Sequence, residues 1–287
     1  MRASEHPADI EVVWASPDLF MDGKLESFMA HALNAPGLRW FHCGSAGYDN
    51  PLLRQVIDRG VAFSINPAPA VAVAEYVMAS VLDRFQGSSK RREAAAARTW
   101  AQARFREVAG SHWLIVGFGA IGRRVARLAK AFDARVVGVN RHGGAQEWAD
   151  EMRTPAGLAA ALPHADVVVL ALPLDASTRG LVDDRFLAKM KPSSVLVNVA
   201  RGAIVDEAAL LEALDRGTPE HALLDVFGTE PLPRSSPLWT HPRVSITAHV
   251  AGMGSGLLER SDRGFLENLH RYLAGRDVLG RIAPPQK

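Results

Sequence analysis

Short apolar runs rich in β-branched residues alternate along this chain with longer segments in which apolar residues recur at helical spacing. This alternation predicts strands joined by helices, an order of elements that is typical of a parallel α/β sheet. In the first third of the chain, strands are predicted over residues 10–15, 38–42 and 61–65, with a helix over 51–58. These elements indicate a small domain with a sheet of its own.

A long helix is predicted over residues 70–85, where apolar side chains on all sides indicate burial between layers or domains. The polar stretch 86–98 is expected to cross into a second domain. Strand candidates of that domain lie at residues 113–116, 135–139, 167–172, 195–199, 221–224 and 244–247. An amphipathic helix over 256–273 is expected to return to the first domain. We therefore expect one domain of residues 1–87, completed by 257–287, and another of residues 88–256.

Composition limits the possible functions without choosing one. The 287 residues carry 33 Lys and Arg against 31 Asp and Glu, and this net charge of +2 argues against a nucleic-acid partner. The single cysteine excludes an internal disulfide and a thiolate metal cluster, and we predict no metal site. No signal peptide and no run of about 18 apolar residues is visible, so we expect a cytoplasmic protein without a membrane partner.

The segment most informative about chemistry is Gly117-Phe118-Gly119-Ala120-Ile121-Gly122, which follows a predicted strand and precedes a helical segment. Gly117 would permit a tight turn, Gly119 a close approach to a pyrophosphate, and Gly122 close packing of helix on strand. The N–H groups at the start of the helix would then face the anion. The alternative is an ordinary turn with coincidental glycines. In this context the segment predicts a dinucleotide-binding domain over residues 88–256.

The end of the next strand bears on which dinucleotide is bound. An NAD site places an acidic residue about 20 residues beyond the glycines, where it holds the ribose hydroxyls. This chain has Asn140, Arg141 and His142 there instead. No carboxylate repels a phosphate, and Arg141 offers a planar fork of donors to one. We therefore predict NADP(H) as the preferred cofactor and NAD as a secondary one. The alternative is that Arg141 is an ordinary surface residue and both are accepted.

Three further segments resemble signature sequences of the D-isomer-specific 2-hydroxyacid dehydrogenases. They are Val197-Asn198-Val199-Ala200-Arg201-Gly202, Leu224-Asp225-Val226-Phe227-Gly228-Thr229-Glu230-Pro231 and Thr247-Ala248-His249-Val250-Ala251-Gly252. With the glycine turn and with Leu172-Pro173-Leu174 followed by Thr178, the resemblance covers about residues 38–275. It implies an α/β protein of two domains, a Rossmann-type doubly wound parallel sheet plus a smaller flavodoxin-like α/β substrate domain.

The resemblance implies that Arg201, Glu230 and His249 are catalytic, and the chemistry of these side chains agrees. Reduction of a 2-oxo acid needs a hydride at the carbonyl carbon and a proton at its oxygen. An imidazole exchanges protons near neutral pH, so His249 suits the proton transfer, and Glu230 beside it would fix the ring. Arg201 can bind the substrate carboxylate and polarise the carbonyl. Taken singly, each residue would be interpreted as a surface residue or a structural partner.

The same resemblance implies further site residues. Asp225 would orient the nicotinamide carboxamide, with a turn cap as the alternative. Backbone at five positions would line the cofactor groove: Leu172, Pro173, Thr178, Val199 and Ala200. In the first domain, the loop with Ser45, Ala46 and Gly47 resembles the family's carboxylate-binding loop, where small residues let N–H groups converge on an anion. A plain glycine turn is the alternative there. Tyr48 departs from the usual aliphatic residue and is expected to alter the substrate pocket.

Together these features predict an NADP(H)-preferring enzyme that interconverts a small 2-oxo acid, such as glyoxylate or hydroxypyruvate, and the D-2-hydroxy acid. The family resemblance also implies a homodimer. Phosphite dehydrogenases share the scaffold and remain an alternative, whereas formate enzymes usually carry glutamine where Glu230 stands. A dinucleotide-sensing interaction module is a third hypothesis, disfavoured by the intact set of Arg201, Glu230 and His249. A methyltransferase would leave the segments beyond the glycine turn unexplained.

Overall fold

The computed structural model describes residues 9–282 of the chain. In chain order its elements are β1 (Val12–Ala15), α1 (Pro17–Met21), α2 (Leu25–Leu33), β2 (Trp40–Cys43), α3 (Pro51–Asp58), β3 (Ala62–Ile65), α4 (Ala70–Gln86), α5 (Ser88–Ala96), β4 (His112–Val116), α6 (Ala120–Ala131), β5 (Arg135–Val139), β6 (Glu151–Arg153), α7 (Leu158–Ala161), β7 (Val167–Leu170), α8 (Asp184–Leu187), β8 (Val195–Asn198), α9 (Glu207–Asp215), β9 (His221–Leu224), β10 (Val244–Ile246), α10 (Leu257–Leu273) and β11 (Arg281–Ile282).

The chain folds into two compact units. One takes in the chain up to Ala70 together with the stretch from Gly252 onward, and the other runs from Val71 to Ala251. The sequence placed the domain limits after residues 87 and 256, and the compact units divide earlier at both places. The domain assignment itself remains a prediction.

The smaller unit is built around a four-stranded sheet in the order β1-β2-β3-β11. The first three strands are parallel, and β11 pairs antiparallel with β3. Met29 of α2 and Leu53 of α3 are fully buried with Phe41 and Phe63 in one core. Residues on the other face of the sheet, Trp14 of β1 and Trp40 of β2, contact α10 instead.

Helix α10 returns to this smaller unit through aromatic contacts. The ring of Phe265 stacks on Trp14 with centroids 4.9 Å apart, and the ring of Tyr272 stacks on Trp40 at 5.3 Å. The Tyr272 hydroxyl also donates to Glu11. These contacts pack the last helix on the N-terminal part of the chain, although the contacting residues are more than 230 positions apart in sequence.

The larger unit is built around a seven-stranded sheet in the order β10-β9-β8-β7-β4-β5-β6. Every neighbouring pair in it is parallel. From β4 the chain proceeds outward to β5 and β6, then returns to β7 on the other side of β4. The strand order therefore reverses between β4 and β7, which is where open α/β sheets bind ligands at the carboxyl ends of the strands. This is the doubly wound parallel sheet that the sequence predicted.

Both faces of the seven-stranded sheet are covered, as parallel sheets require. Leu114 and Val116 of β4 face a core formed with α7, α8 and α9. Trp113 and Ile115 face the opposite core, formed with α4 and α6. Because both faces are buried, these strands are continuous apolar runs in the sequence instead of alternating ones.

Three local features differ from the sequence pattern. Helix α4 packs on the seven-stranded sheet through Val77, Val81 and Phe85, a choice of sheet that its all-round apolar pattern does not reveal. The stretch 86–98, expected to cross between domains, instead holds the solvent-exposed helix α5, and the chain leaves the smaller unit after Ala70. The short strands β6 and β11 escaped prediction because two or three residues are too few to show an alternation.

Within residues 9–282, no helix combines the length and the apolar content needed to cross a bilayer. Over the same residues, no group of three or more His, Cys, Asp and Glu side chains is arranged to hold a metal ion. Cys43 is buried and unbridged, and its burial raises the pKa of the thiol.

Candidate active site

The glycine turn joins the end of β4 to the start of α6. Gly117 has φ +97°, and a Cβ there would overlap the carbonyl of Ala171 just after β7. A Cβ at Gly122 would overlap the carbonyl oxygen of Gly117, so α6 lies directly on the strand. Phe118 and Ile121 direct their side chains into the core beneath. The turn therefore presents backbone rather than side chains.

Gly119 differs from the other two glycines, because neither its conformation nor its packing requires a glycine. Its φ is −81°, and a Cβ built there meets no protein atom within 4 Å. It precedes Ala120, the first residue of α6, whose first-turn N–H groups lack partners within the helix. That first turn carries no acidic side chain. An open surface at this helix N-terminus fits the pyrophosphate of a dinucleotide.

The residues after β5 form a compact turn. The side-chain oxygen of Asn140 accepts hydrogen bonds from the N–H groups of His142 and Gly143, at 3.0 Å and 2.6 Å. The side-chain oxygen of Asn140 is thus occupied in shaping the turn. Arg141 is 75 % exposed at its side chain and forms an ion pair with Asp175 at 3.0 Å. His142 is exposed.

That ion pair brings the turn after β5 to the loop after β7, so the structure joins two of the predicted cofactor segments. In this loop the Thr178 hydroxyl donates to the carbonyl of Pro173 at 2.8 Å and accepts from the N–H of Asp175 at 2.8 Å. Leu172 is half-buried beside the core and Pro173 is exposed. Thr178 thereby closes the loop on itself.

The loop after β8 carries Arg201. The side chain of Asn198 accepts from the N–H of Ala200 and donates to the carbonyl of Arg201, both at 3.1 Å. Val199 and Ala200 are buried, so they offer only backbone to a groove. A Cβ at Gly202 would overlap the backbone of Phe227 and Gly228. The arginine loop therefore touches the loop that carries Glu230.

His249 and Glu230 form a direct pair. The Nδ1 of His249 lies 2.7 Å from Oε2 of Glu230, and Oε1 of Glu230 accepts from the N–H of Phe227 at 2.9 Å. The carboxylate is thus held from behind by backbone. His249 has φ +54°, in the left-handed region that side chains other than glycine rarely adopt. Such conformations persist only where the surroundings impose them, and they cluster at functional sites.

Asp225 supplies that constraint. Its side chain is 2 % exposed, and its carboxylate accepts from the N–H groups of Val250 and Ala251 at 2.9 Å and 3.0 Å. Its backbone carbonyl accepts from the N–H of His249 at 2.8 Å. Most of the acceptor capacity of this carboxylate is spent on the segment that carries the histidine. Its implied contact with the nicotinamide remains a prediction.

Two positioning residues were missed by the sequence analysis. The Thr247 hydroxyl donates to the carboxylate of Asp225 at 2.5 Å, and the Tyr76 hydroxyl lies 2.7 Å from the Thr247 oxygen. Burial raises the pKa of Tyr76, so its hydroxyl is a neutral donor. Thr247 begins the signature segment that contains His249. Tyr76, by contrast, is 171 residues away on α4, and no local sequence feature indicates that it contacts this segment.

The predicted carboxylate-binding loop lies in the smaller unit, after β2. Gly44 is required there, because a Cβ would come within 2.7 Å of Pro17 and 2.9 Å of the Ala15 carbonyl. The Ser45 hydroxyl donates to the carbonyl of Gly47 at 2.7 Å and lies 3.2 Å from the thiol of Cys43. Ala46 is half-buried. The loop is therefore a tight turn closed by its own serine, and its anion-binding role remains a prediction.

Comparison with known proteins places the chain in a family. The model of the D-isomer specific 2-hydroxyacid dehydrogenase NAD binding domain matches residues 78–251. Glyoxylate/hydroxypyruvate reductase B of Pectobacterium atrosepticum is 35% identical over 262 residues, covering 86% of this chain and 78% of the relative. D-3-phosphoglycerate dehydrogenase of Mycobacterium tuberculosis is 34% identical over 251 residues, covering 85% and 47%. The chain spans about half to two thirds of the length of several relatives. For two further relatives, the part covered is 55% and 64% of the relative's own length.

Solved structures agree with the sequence relatives. A D-isomer specific 2-hydroxyacid dehydrogenase from Xanthobacter autotrophicus, in complex with NADPH, has a TM-score of 0.81 at 27% identity, with 98% of this chain and 87% of that chain covered. An NADPH-dependent glyoxylate/hydroxypyruvate reductase from Sinorhizobium meliloti, in complex with NADP and sulfate, has a TM-score of 0.79 at 27% identity, with 96% and 85% covered. The chain therefore belongs to the D-isomer specific 2-hydroxyacid dehydrogenase family.

Proposed function

We propose that this protein is an NADP(H)-preferring oxidoreductase that interconverts a small 2-oxo acid and the corresponding D-2-hydroxy acid. The observation that carries the proposal is the pair of His249 and Glu230, joined at 2.7 Å in a segment whose backbone is forced into the left-handed region. A solvent-facing histidine with no function would not need such a constraint. The smaller 2-oxo acids, glyoxylate and hydroxypyruvate, are the proposed substrates, as for the Pectobacterium relative.

In this proposal His249 moves the proton. Glu230 occupies Nδ1, which leaves Nε2 to give a proton to the carbonyl oxygen during reduction and to remove it during oxidation. A carboxylate at this distance fixes the orientation of the ring. The N–H of Phe227 on the other carboxylate oxygen keeps Glu230 from rotating away.

Arg201 binds the carboxylate of the substrate and stabilises the negative charge that develops on the carbonyl oxygen. Its permanent charge and planar donors suit both tasks. The close approach of Gly202 to the backbone of Phe227 fixes the arginine loop against the loop of Glu230. Binding of the substrate and transfer of the proton are thereby arranged by two loops that touch.

When bound, the dinucleotide would supply the hydride for reduction of the 2-oxo acid and accept it in the reverse oxidation. The open backbone at Gly119 and the start of α6 would hold its pyrophosphate, and Arg141 would bind a 2′-phosphate. No acidic residue stands at the end of β5 to favour a free ribose hydroxyl, which supports NADP(H) over NAD. The two structural neighbours described with NADPH or NADP support the same preference.

The test is the rate of NADPH oxidation with a panel of small 2-oxo acids, repeated with NADH. We expect turnover of at least one of glyoxylate and hydroxypyruvate, with a higher kcat/KM for NADPH than for NADH. Phosphite with NADP is included as a separate arm, because reduction of NADP by phosphite would favour the phosphite dehydrogenase alternative. Tight NADPH binding without turnover of any acid would favour a dinucleotide-sensing module.

A matched pair of arginine variants tests the site. Arg201→Gln is expected to lower kcat/KM for the 2-oxo acid by about 10²- to 10³-fold, the range for loss of a charge-stabilising donor. Arg216→Gln is the control, because this exposed arginine of the same unit pairs with the exposed acids Asp184 and Glu212. Equal activity of the two variants would refute the proposed role of Arg201.

We also propose that the protein is a homodimer, as the family resemblance implies. In the larger unit, Trp100 is 90% exposed and Phe105 is 51% exposed, which leaves two aromatic side chains available to an interface. Sedimentation equilibrium is expected to give twice the chain mass of 31.0 kDa. A monomer mass at micromolar concentration would contradict the proposal.

A further inference from the structure

The ion pair between Arg141 and Asp175 joins two loops that both lie beside the proposed cofactor site. The guanidinium Nη2 lies 3.0 Å from Oδ2 of the carboxylate, although the residues are 34 positions apart. Arg141 is the residue proposed to receive a 2′-phosphate. Its positive charge therefore already has an acidic partner within the protein.

The side chains of Asp175 and Arg141 differ in how firmly the surrounding protein holds them. Oδ1 of Asp175 accepts from the N–H and the hydroxyl of Ser177, at 2.8 Å and 2.6 Å. The N–H of Asp175 donates to Thr178 at 2.8 Å, and the carboxylate is therefore fixed within its loop. Arg141, by contrast, is 75% exposed at its side chain and reaches the acid with one nitrogen. The carboxylate is the fixed partner and the guanidinium is the movable one.

Asp175 is ionised under ordinary conditions. The hydrogen bond from the Ser177 side chain, aided by backbone donors and the charge of Arg141, lowers the pKa of Asp175 below its usual value. A fixed negative charge attracts Arg141 and repels any phosphate that approaches the same guanidinium. With an unphosphorylated ribose no such conflict arises.

We propose that Asp175 weakens the preference of the protein for NADP over NAD, because its carboxylate competes with a 2′-phosphate for Arg141. The inference rests on the proposed function, in which Arg141 binds the phosphate. With NAD bound, the pair of Arg141 and Asp175 stays intact. With NADP bound, the guanidinium turns toward the phosphate and the carboxylate loses its partner.

The expected change in NADP binding follows from the solvent exposure of the pair of Arg141 and Asp175. Exposed ion pairs change an equilibrium constant by up to about fivefold, and removal of the repulsion between carboxylate and phosphate adds to this. We therefore expect Asp175→Asn to strengthen NADP binding by about three- to tenfold, with NAD binding changed by less than about twofold. The asparagine oxygen can still accept from Ser177, so the loop keeps its turn.

The experiment measures the dissociation constants of NADP and NAD by isothermal titration calorimetry with the full chain. The variants are Asp175→Asn, Arg141→Ala and the double substitution. Asp184→Asn is the matched control, because it removes the same charge from another acid of the larger unit that pairs with an arginine. A higher salt concentration is expected to reduce the gain, since the effect is electrostatic.

The expected result is a gain for NADP alone in Asp175→Asn, a smaller gain when Arg141 is absent, and no change in Asp184→Asn. Unchanged NADP binding, or equal changes for both nucleotides, would overturn the inference while leaving the proposed function in place. An undiminished gain in the Arg141→Ala background would show that the acid does not act through Arg141. If the unsubstituted protein binds neither nucleotide, the proposed function falls and this inference with it.

Discussion

Replacement of Thr247 by valine tests whether partly buried hydrogen bonds hold the segment that carries His249. Valine has nearly the same shape but removes the hydroxyl that donates to Asp225 and lies beside the Tyr76 hydroxyl. A hydrogen bond to a buried charged group contributes about 1.5–3 kcal/mol, and a neutral one about 0.5–1.5 kcal/mol. We therefore expect Thr247→Val to lower the free energy of unfolding by about 2–4 kcal/mol.

The assay is urea unfolding followed by circular dichroism, with Tyr76→Phe and the double variant measured alongside. Tyr76→Phe removes the bond to Thr247 together with a weaker contact to Ser80, and it is expected to cost about 1 kcal/mol. Since both single variants remove that bond, the double variant should fall short of additivity by about 1 kcal/mol. Thr240→Val is the control, because its hydroxyl makes only a 3.5 Å contact and its side chain is exposed. A change below about 0.5 kcal/mol for Thr247→Val, or full additivity, would refute the reasoning.

Three other predictions concern packing, pH and loop contact. Gly119→Ala should leave the stability of the fold unchanged but weaken NADPH binding at least tenfold, or about 1.4 kcal/mol. Gly122→Ala should instead destabilise the fold by about 1–3 kcal/mol. Thermal unfolding measures the stability of each variant, and NADPH fluorescence measures its binding of the cofactor. Burial lowers the pKa of His42 to about 4, so its contribution is present above pH 6.5 and is lost as the pH falls toward 4. Between pH 7 and pH 5 it should remove about 2 kcal/mol of stability, and urea midpoints of His42→Asn should lack this loss. Gly202→Ala should lower both the unfolding midpoint and kcat, and an unchanged kcat would contradict the proposed loop contact.

The sequence predicted the larger sheet well because its strands are buried on both faces. The run of residues 113–116, for example, is continuous and apolar, and it ends where Gly117 starts a loop. Since parallel strands present their carboxyl ends at one edge, the order of segments was enough to expect Arg201, Glu230 and His249 at that edge. The pairing of His249 with Glu230 at 2.7 Å agrees with that expectation.

Contacts between distant loops were beyond the sequence pattern. The partner of Arg141 lies 34 residues later in an irregular loop, and nothing in the local sequence around Asp175 indicates which cation it meets. The engagement of Asp225 depends on the register of β9 and β10, which brings Val250 and Ala251 to its carboxylate. Sequence alone placed Asp225 after a strand and left its partners open.

The domain limits could not be predicted for a different reason. The apolar pattern of α4 indicates that the helix is buried, but the same pattern would suit either sheet. Its packing against the seven-stranded sheet is a tertiary choice, made by side chains such as Val77 and Phe85 that fit that core. Aromatic contacts of α10 with Trp14 and Trp40 likewise appear only in three dimensions, although the amphipathic pattern of the helix indicated that it must pack somewhere.

The most direct test of the central claim is the rate of NADPH-dependent glyoxylate reduction by His249→Asn at saturating NADPH. Asparagine tolerates the left-handed backbone at this position, so the fold should be retained while the proton donor is lost. We predict a fall in kcat of about 10²- to 10⁴-fold with the dissociation constant of NADPH changed by less than about twofold. A kcat within tenfold of the unsubstituted protein would contradict the account.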